Sequence, residues 1–497
     1  MTGRMTWTLY IKHVIPLAKS RSNRNGWLFL AAFSAVLGNF IFGYAMVLPS
    51  AVIPQLQKEK DSNLHMDVHE ISWFGSVFAI GAIVGGLSAM VMNDKLGRKH
   101  SIMISVIPST AGFLMIMTAH KVWLLLLGRL LTGVAGGITS SSIPVYVSEI
   151  SHPGVRGALG SCPQIMAVFG SLALYLLGLV LPWRWLAVAG EVPILIMLFL
   201  LCFMPNSPRY LITNNKRDEA SRALKWLRGS ESNYIAELNQ IERSINSQPG
   251  IQWRDLRSPF FYKPILISVL MRFLQQMTGI TPILVYLQPI FEKTAISLEP
   301  KLDAAIVGLV RLLSVAIAAA LMDKAGRKAL LYTSAFIMYL ATLTMGIYNH
   351  KTPCDIVNIT AEVSSVANAY GAMASHGTSS STLIPLFSIM FIIFEGYAMG
   401  WGPITWLLMS EILPTAARGV ASGLCVVVSW ATAFVLTQVF MLAVEAYGLF
   451  APFLFFCVVC VLNIIFTAKC VPETKGRTLE EIENYFRTGR TFTIAES

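Results

Sequence analysis

The chain has 497 residues, of which 55% are hydrophobic and 13% are charged, roughly half the charged fraction of ordinary soluble domains. Its net charge is +11, yet the basic residues lie in short segments between apolar runs and form no RNA- or DNA-binding motif, which excludes a nucleic-acid partner. The sequence also lacks a nucleophile elbow, a P-loop and zinc-ligand spacing, so neither an enzyme nor a cofactor or metal site is expected.

Twelve runs of about 20 apolar residues predict membrane-spanning helices. We number them one to twelve; they lie at 27–48, 71–92, 101–119, 122–146, 158–181, 184–204, 264–290, 304–322, 329–348, 383–409, 419–443 and 449–470. The predicted fold is therefore an all-α membrane protein with two six-helix halves. The predicted segments are an N-terminal tail (1–26), one half (27–204), a helical linker (205–263), the other half (264–471) with an insertion at 350–382, and a C-terminal tail (472–497).

The distribution of Lys and Arg predicts the orientation in the lipid bilayer. Most of these residues lie in the two tails, the linker and the loops on the same side, so both termini are expected to be cytoplasmic. The sequon Asn358-Ile359-Thr360 lies in the insertion, on the opposite side. It predicts an N-glycan on Asn358, with a chance tripeptide as the alternative.

Two charged signatures occur once in each half. The sequence Asp-Lys-Leu-Gly-Arg-Lys at 94–99 returns as Asp-Lys-Ala-Gly-Arg-Lys at 323–328, and Ser-Glu-Ile followed by Arg-Gly at 148–157 returns at 410–419. Duplicated signatures at equivalent places are typical of transporters built from parallel repeats around a central pathway. Turn formation and snorkelling would explain the Gly-Arg-Lys triplets alone, but not the repeated glutamates.

We predict that the repeated charges form two cytoplasmic ion-pair clusters, which hold the halves together when the cavity opens outward. One cluster is expected to join Glu149 to Arg156 and Arg418, and the other to join Glu411 to Arg98 and Arg327. Opening the cavity inward would break them.

Polar residues at membrane depth point to a wet cavity. Gln275 and Gln276 lie near the middle of span seven, and their amides would be unsatisfied in lipid. Gly279 and Pro282 are expected to interrupt the helix beside them, and interrupted helices mark binding sites in transporters. Hydrogen bonding between helices is the alternative for a single Gln. A second Gly/Pro break is expected at 400–406 in span ten.

Further candidates indicate what the cavity would bind. Gln164, Trp406 and Trp430 add an amide and two aromatic plates, a combination that suits a neutral, polyhydroxylated ligand. Packing or interfacial anchoring is the alternative for each Trp. Arg311 is a candidate binding residue, because burying a charged Arg in a membrane costs free energy and such residues usually have a function. A structural ion pair with Glu395 or Glu292 is an equal alternative.

These motifs together resemble the sugar-porter branch of the major facilitator superfamily over nearly the whole chain. The hallmarks are Gly128-Arg129, Pro-Val-Tyr-Val-Ser-Glu at 144–149, Pro-Asn-Ser-Pro-Arg at 205–209, the glutamine pair and Pro-Glu-Thr-Lys-Gly-Arg at 472–477. Within the branch, the glycosylatable insertion resembles that of class III facilitative glucose transporters. The resemblance implies the major facilitator fold, hexose uniport by alternating access in a plasma or endosomal/lysosomal membrane, and sugar contacts by Gln164, Gln275, Gln276 and Trp406.

The chain departs from the family at several site positions. Family members commonly have Asn where Thr281, Arg311 and Ser429 stand, so Thr281 and Arg311 join the predicted sugar-binding set. Proton-coupled relatives have Asp where Ala45 stands. The lack of this carboxylate favours passive movement of the substrate down its gradient. A proton-coupled symporter, using Glu191, Glu395 or Glu445, and a non-transporting sugar sensor remain the alternatives.

Overall fold

The computed structural model describes residues 26–58, 64–152, 155–229, 234–246, 258–294, 299–351, 384–413, 418–475, 481–482 and 485–486. The secondary structure of these residues is helical, with no strand among them, which confirms the all-α prediction. Ten of the described helices are long and apolar enough to cross a membrane. The predicted N-glycan site, Asn358, lies outside the described residues.

The amino-terminal half supplies spans one to six. They are Gly26–Lys58, Val68–Lys95, Arg98–Ile104 with Val106–Met117, Val122–Ile150, Arg156–Val180 and Trp183–Phe203. Span two begins with a capping box, because the Asp67 carboxylate accepts the Glu70 N–H at 2.7 Å and the Glu70 carboxylate accepts the Asp67 N–H at 3.1 Å. These bonds satisfy two amide groups that the first turn leaves unpaired.

The carboxy-terminal half supplies spans seven to twelve, with interruptions in two of them. Span seven is Pro259–Met277, Ile280–Val285 and Leu287–Glu292; spans eight and nine are Pro300–Ala325 and Arg327–Lys351; span ten is Ile384–Phe391, Ile392–Trp401 and Pro403–Ile412; spans eleven and twelve are Arg418–Tyr447 and Phe450–Cys470. The middle piece of span ten is a π-helix. Spans seven and eight are the two predicted spans outside the ten apolar helices of the described residues. Span seven is interrupted.

Three short helices, Pro208–Thr213, Arg217–Arg228 and Tyr234–Asn246, form the described part of the linker. The middle one buries four residues at helical spacing, namely Ala220, Ala223, Leu224 and Leu227, and ends at Gly229 with a φ of 84°. Its Trp226 ring lies 5.2 Å from that of Trp27 at the start of span one. We call this side of the molecule the linker face and the opposite side the insertion face.

Small residues allow close helix packing within a half. The backbone of span two approaches that of span four so closely that a Cβ on Gly85 would overlap the Val134 carbonyl. The two halves meet along spans two and eleven and along spans five and eight. In the second contact, Val168, Val315 and Ala398 form a small buried cluster.

The halves also close on each other at the insertion face. The Gln288 N–H donates to Ser50 Oγ at 3.0 Å, and Lys58 Nζ lies 3.3 Å from a Glu292 carboxylate oxygen. The buried Tyr286 hydroxyl lies 3.4 Å from the carbonyls of Ile71 and Ser72 in span two. These contacts join the last two pieces of span seven to spans one and two.

Candidate functional site

An ion-pair cluster lies at the linker face of the amino-terminal half. The turn after span two passes through Gly97, whose φ of 91° favours glycine. The next residue, Arg98, places an amino group 3.0 Å from one carboxylate oxygen of Glu149 at the end of span four. The Ser207 hydroxyl, after span six, donates to the other oxygen. Both charged side chains are largely buried, so neither is left unpaired in a dry site.

The carboxy-terminal half repeats this cluster in every part. Gly326 has a φ of 93°, and Arg327 lies 3.1 Å from Glu411 at the end of span ten. The Thr474 hydroxyl, after span twelve, donates to the second carboxylate oxygen at 2.6 Å. Each half therefore joins the turn after its second span, the end of its fourth span and the segment after its sixth.

The observed pairing corrects one of the predicted ion pairs. Arg98 was expected to reach Glu411 in the other half, but it bonds to Glu149 because the turn after span two lies beside the end of span four. The predicted Arg327–Glu411 pair is formed. The side chains of Arg156 and Arg418 lie outside those that the structure describes.

The break in span seven occurs where the sequence predicts it. Gly279 adopts a left-handed backbone conformation, with a φ of 82°, which residues other than glycine rarely adopt. The Phe456 ring also occupies the space that a Cβ would need. The helix therefore ends at Met277 and restarts at Ile280, with a further short break at Tyr286.

Four polar side chains meet at this break, and we call them the span-seven cluster. Thr281 Oγ1 donates to Gln276 Oε1 at 2.7 Å, and Gln276 Nε2 lies 3.0 Å from Ser429 Oγ in span eleven. Arg272 completes the cluster by donating to the same Ser429 oxygen at 3.0 Å. The amide, the two hydroxyls and the guanidinium are buried but not sealed, with Gln276 and Thr281 retaining 8% and 5% exposure.

Gln275, the other predicted glutamine, points to a different neighbour. Its Nε2 lies 2.7 Å from the Trp401 carbonyl and 3.1 Å from the Tyr397 hydroxyl, both in span ten. Its Oε1 accepts a hydrogen bond from Arg272. The side chain has no exposed surface. Gln275 therefore joins spans seven and ten at the end of the π-helix.

The two predicted tryptophans occupy different surroundings. The Arg272 guanidinium lies 3.9 Å from the centre of the Trp406 ring, a cation–π contact, and Trp406 keeps 40% exposure. Trp430, which follows Ser429, packs edge-on against Phe42 and Phe78 at 5.8 and 6.1 Å. Gln164 in span five and Trp430 are both half-buried.

Arg311 lies inside span eight with 8% exposure. Span eight packs against span five and against the π-helix of span ten. The predicted alternative pair with Glu292 is not formed; Glu292 pairs with Lys58 instead. The side chain of Glu395 lies outside those that the structure describes.

Sequence reasoning missed three residues of these sites. Ser207 and Thr474 were seen only as parts of family hallmarks, although their equivalent places after spans six and twelve could have indicated a shared role. Tyr397 gave no signal, because a Tyr in an apolar run is typical of packing. Its hydroxyl accepts a hydrogen bond from Gln275, and its π-helix packs against span eight.

Comparison with known proteins identifies the family. Residues 31–486 match the family model described as "Sugar (and other) transporter", so the chain belongs to that family. The human protein "Solute carrier family 2, facilitated glucose transporter member 6" is 58% identical over 94% of this chain and 92% of its own length. The mouse facilitated glucose transporter member 8 is 39% identical over 94% and 96%.

Solved structures show the same fold. "Inward open conformation of the xylose transporter XylE from E. coli" is similar with a TM-score of 0.73 and 23% identity, over 92% of this chain and 99% of that one. The prediction of a major facilitator fold is confirmed, as are the resemblance to the sugar porters and the prediction of a transporter rather than an enzyme.

Replacing Gln275 with Ala is expected to destabilise the protein. The change removes the buried hydrogen bonds that Gln275 makes to the Trp401 carbonyl and to the Arg272 guanidinium, which keep Thr405 and Ser429 as partners; losing two buried hydrogen bonds costs about 1–3 kcal/mol. Thermal unfolding of the purified protein in detergent, followed by tryptophan fluorescence, measures the effect. Gln164→Ala is the control, since Gln164 is only half-buried; equal melting temperatures for the two variants would contradict the structural role of Gln275.

Proposed function

We propose that this sugar-transporter family member moves a hexose down its gradient by alternating access. The observation that carries the proposal is the span-seven cluster, in which the uncharged hydrogen-bonding groups of Gln276, Thr281 and Ser429 meet the Arg272 guanidinium at a helix break in the carboxy-terminal half. Sugar hydroxyls can exchange hydrogen bonds with these groups at little cost, because each donor or acceptor lost is replaced by an equivalent one.

Each predicted site residue has a place in this proposal. Gln164, Gln276 and Thr281 would bind sugar hydroxyls, and Trp406 and Trp430 would support the less polar C–H face of the ring. Gln275 would act indirectly, by holding span ten in place against span seven. Arg311 lies at the edge of the same site.

The proposed cycle begins from an inward-facing state. Contacts of Tyr286, Gln288 and Glu292 close the insertion face, while the two ion-pair clusters lie within their own halves. Opening the insertion face requires the last two pieces of span seven to leave spans one and two. The breaks at Gly279 and Tyr286 provide hinges for that movement.

The surroundings of Arg129 favour uniport over proton coupling. This fully buried guanidinium in span four donates to the backbone carbonyls of Ala45 and Phe74, and its charge lies 4.8 Å from the Phe78 ring centre. Proton-coupled relatives carry Asp where Ala45 stands. A carbonyl does not titrate, so the partner of Arg129 cannot carry a proton through the cycle. Glu191, one of the carboxylates considered for coupling, accepts a hydrogen bond from Thr110 at 3.1 Å.

The proposal also includes a place in the cell. Both termini would be cytoplasmic, since the linker and tails carry most of the Lys and Arg residues. Asn358 would then face the outside or the lumen and carry an N-glycan, removable by glycosidase and absent from Asn358→Gln. The membrane would be the plasma membrane or an endosomal/lysosomal membrane.

Counterflow into liposomes containing the purified protein tests the proposed function. Preloaded glucose should draw labelled glucose inward, and Gln276→Ala should weaken the apparent affinity about tenfold, because one hydrogen-bonding partner is lost. An imposed pH gradient without a sugar gradient should drive no uptake. Sugar binding without counterflow would favour the sensor alternative, whereas uptake driven by the pH gradient would favour the symporter.

We further propose that the ion-pair clusters reach across to the other half when the linker face closes. Glu411→Gln should then shift the population toward the inward-facing state by about fivefold, the equivalent of roughly 1 kcal/mol. Glu292→Gln, which removes an ion pair on the insertion face, should shift the population the other way.

The reporter is Gln288→Cys in a background without natural cysteines, because Gln288 is 1% exposed in this state. An impermeant thiol reagent on that side should label it more slowly in Glu411→Gln; an unchanged rate would contradict the latch.

A further inference from the structure

Arg311 is a buried charge without a countercharge in the described part of the chain. It retains 8% exposure, and its NH1 group has no hydrogen-bond partner. The ion pairs of the described side chains involve other residues, including Glu292 with Lys58. A cation at membrane depth is costly unless it is paired or has a function.

The neighbours of span eight place Arg311 beside the break in span seven. Span eight packs against span five, which carries Tyr175, and against the π-helix of span ten, which carries Tyr397. A Cβ on Gly308, one turn before Arg311, would lie 2.9 Å from the Tyr175 ring. Tyr175 donates to the Leu284 carbonyl at 3.1 Å, in the piece of span seven after Gly279, whereas Tyr397 accepts from Gln275 at 3.1 Å, in the piece before it. The span that carries Arg311 therefore packs against two helices whose tyrosines bond to either side of the break.

A second guanidinium lies at the same break, but its position is already fixed. Arg272 is hydrogen-bonded to Gln275 and Ser429 and lies against the Trp406 ring. Its partners are all neutral. The site thus combines uncharged hydrogen-bonding groups with two positive charges. Within the described part of the chain, both terminal nitrogens of Arg272 have partners and only its Nε is unpaired, whereas NH1, a terminal nitrogen of Arg311, has no partner.

We propose that the transported sugar carries a carboxylate, as a hexuronate does, and that Arg311 binds this group while the span-seven cluster binds ring hydroxyls. This inference rests on the proposed function and specifies its substrate class. A guanidinium fork matches the two oxygens of a carboxylate. Arg272 is already held by hydrogen bonds to Gln275 and Ser429, so we assign one negative charge to the sugar, at Arg311, whereas a phosphomonoester carries nearly two. The sugar carboxylate would enter as the counter-ion of Arg311.

Counterflow with labelled glucuronate, glucose and glucose 6-phosphate tests the proposal in liposomes containing the full-length protein. Glucuronate should compete with labelled glucose and bind at least tenfold more tightly. An inside-positive potassium diffusion potential should speed glucuronate entry but not glucose entry, because only the acid moves a net charge across the membrane. This arm uses the unmodified protein, so it does not depend on the folding of a variant.

Two substitutions at one position test the role of Arg311 itself. In Arg311→Asn the ratio of glucuronate to glucose uptake should fall at least tenfold, whereas Arg311→Lys, which keeps the charge, should preserve part of that ratio. A ratio unchanged in Arg311→Asn would overturn the proposal. A Glu395→Gln variant gives a second way to overturn it. If Glu395→Gln lowers the uptake ratio as far as Arg311→Asn does, and the double variant lowers it no further, Arg311 is the partner of Glu395 and not of the sugar.

The remaining outcomes separate this inference from the proposed function. Glucose counterflow without glucuronate transport would overturn the inference and leave the hexose uniporter standing. Preference for glucose 6-phosphate would overturn the assignment to a carboxylate. Counterflow of none of the three sugars, from protein that melts cooperatively, would overturn both.

Discussion

A membrane interior contains no water to satisfy backbone or side-chain polar groups, and the break in span seven is built around this constraint. Interrupting the helix at Gly279 removes hydrogen bonds that lipid cannot replace. The side chains of Gln275 and Gln276 lie beside the break and take partners in spans ten and eleven, and Thr281 donates to Gln276. Those same polar groups make the break a place where a hydroxylated solute can bind.

The duplicated ion-pair clusters stabilise each half as a rigid unit. Gly97 and Gly326 have nearly the same φ, and each precedes an Arg that bonds to a Glu at the end of another span. Because each cluster joins three helix ends of its own half, movement is concentrated where the halves meet. The contacts that close the insertion face come mainly from the short pieces after Gly279. The breaks at Gly279 and Tyr286 separate these pieces from the rest of span seven.

Neighbouring residues in the sequence can have separate roles that spacing does not reveal. Gln275 and Gln276 are about 100° apart around a helix, so one points to span ten and the other to span eleven. The partner of Arg98 was mispredicted for a related reason: the repeat shows which residues are equivalent, but not whether charges pair within a half or between halves. The sequence singled out Arg311 as an intramembrane cation with Glu292 as one possible partner, but only the structure shows that Glu292 pairs with Lys58.

The sequence by itself determined the twelve apolar segments, the duplicated halves, the breaks at Gly279 and before Pro403, and the family, because these follow from local hydropathy, backbone preference and motif spacing. Only the tertiary structure decided which side chains meet. It brought the Tyr397 hydroxyl to Gln275 and Ser429 to Gln276. These contacts join residues far apart in the chain, and their geometry depends on how whole helices rotate and pack, which no local pattern specifies.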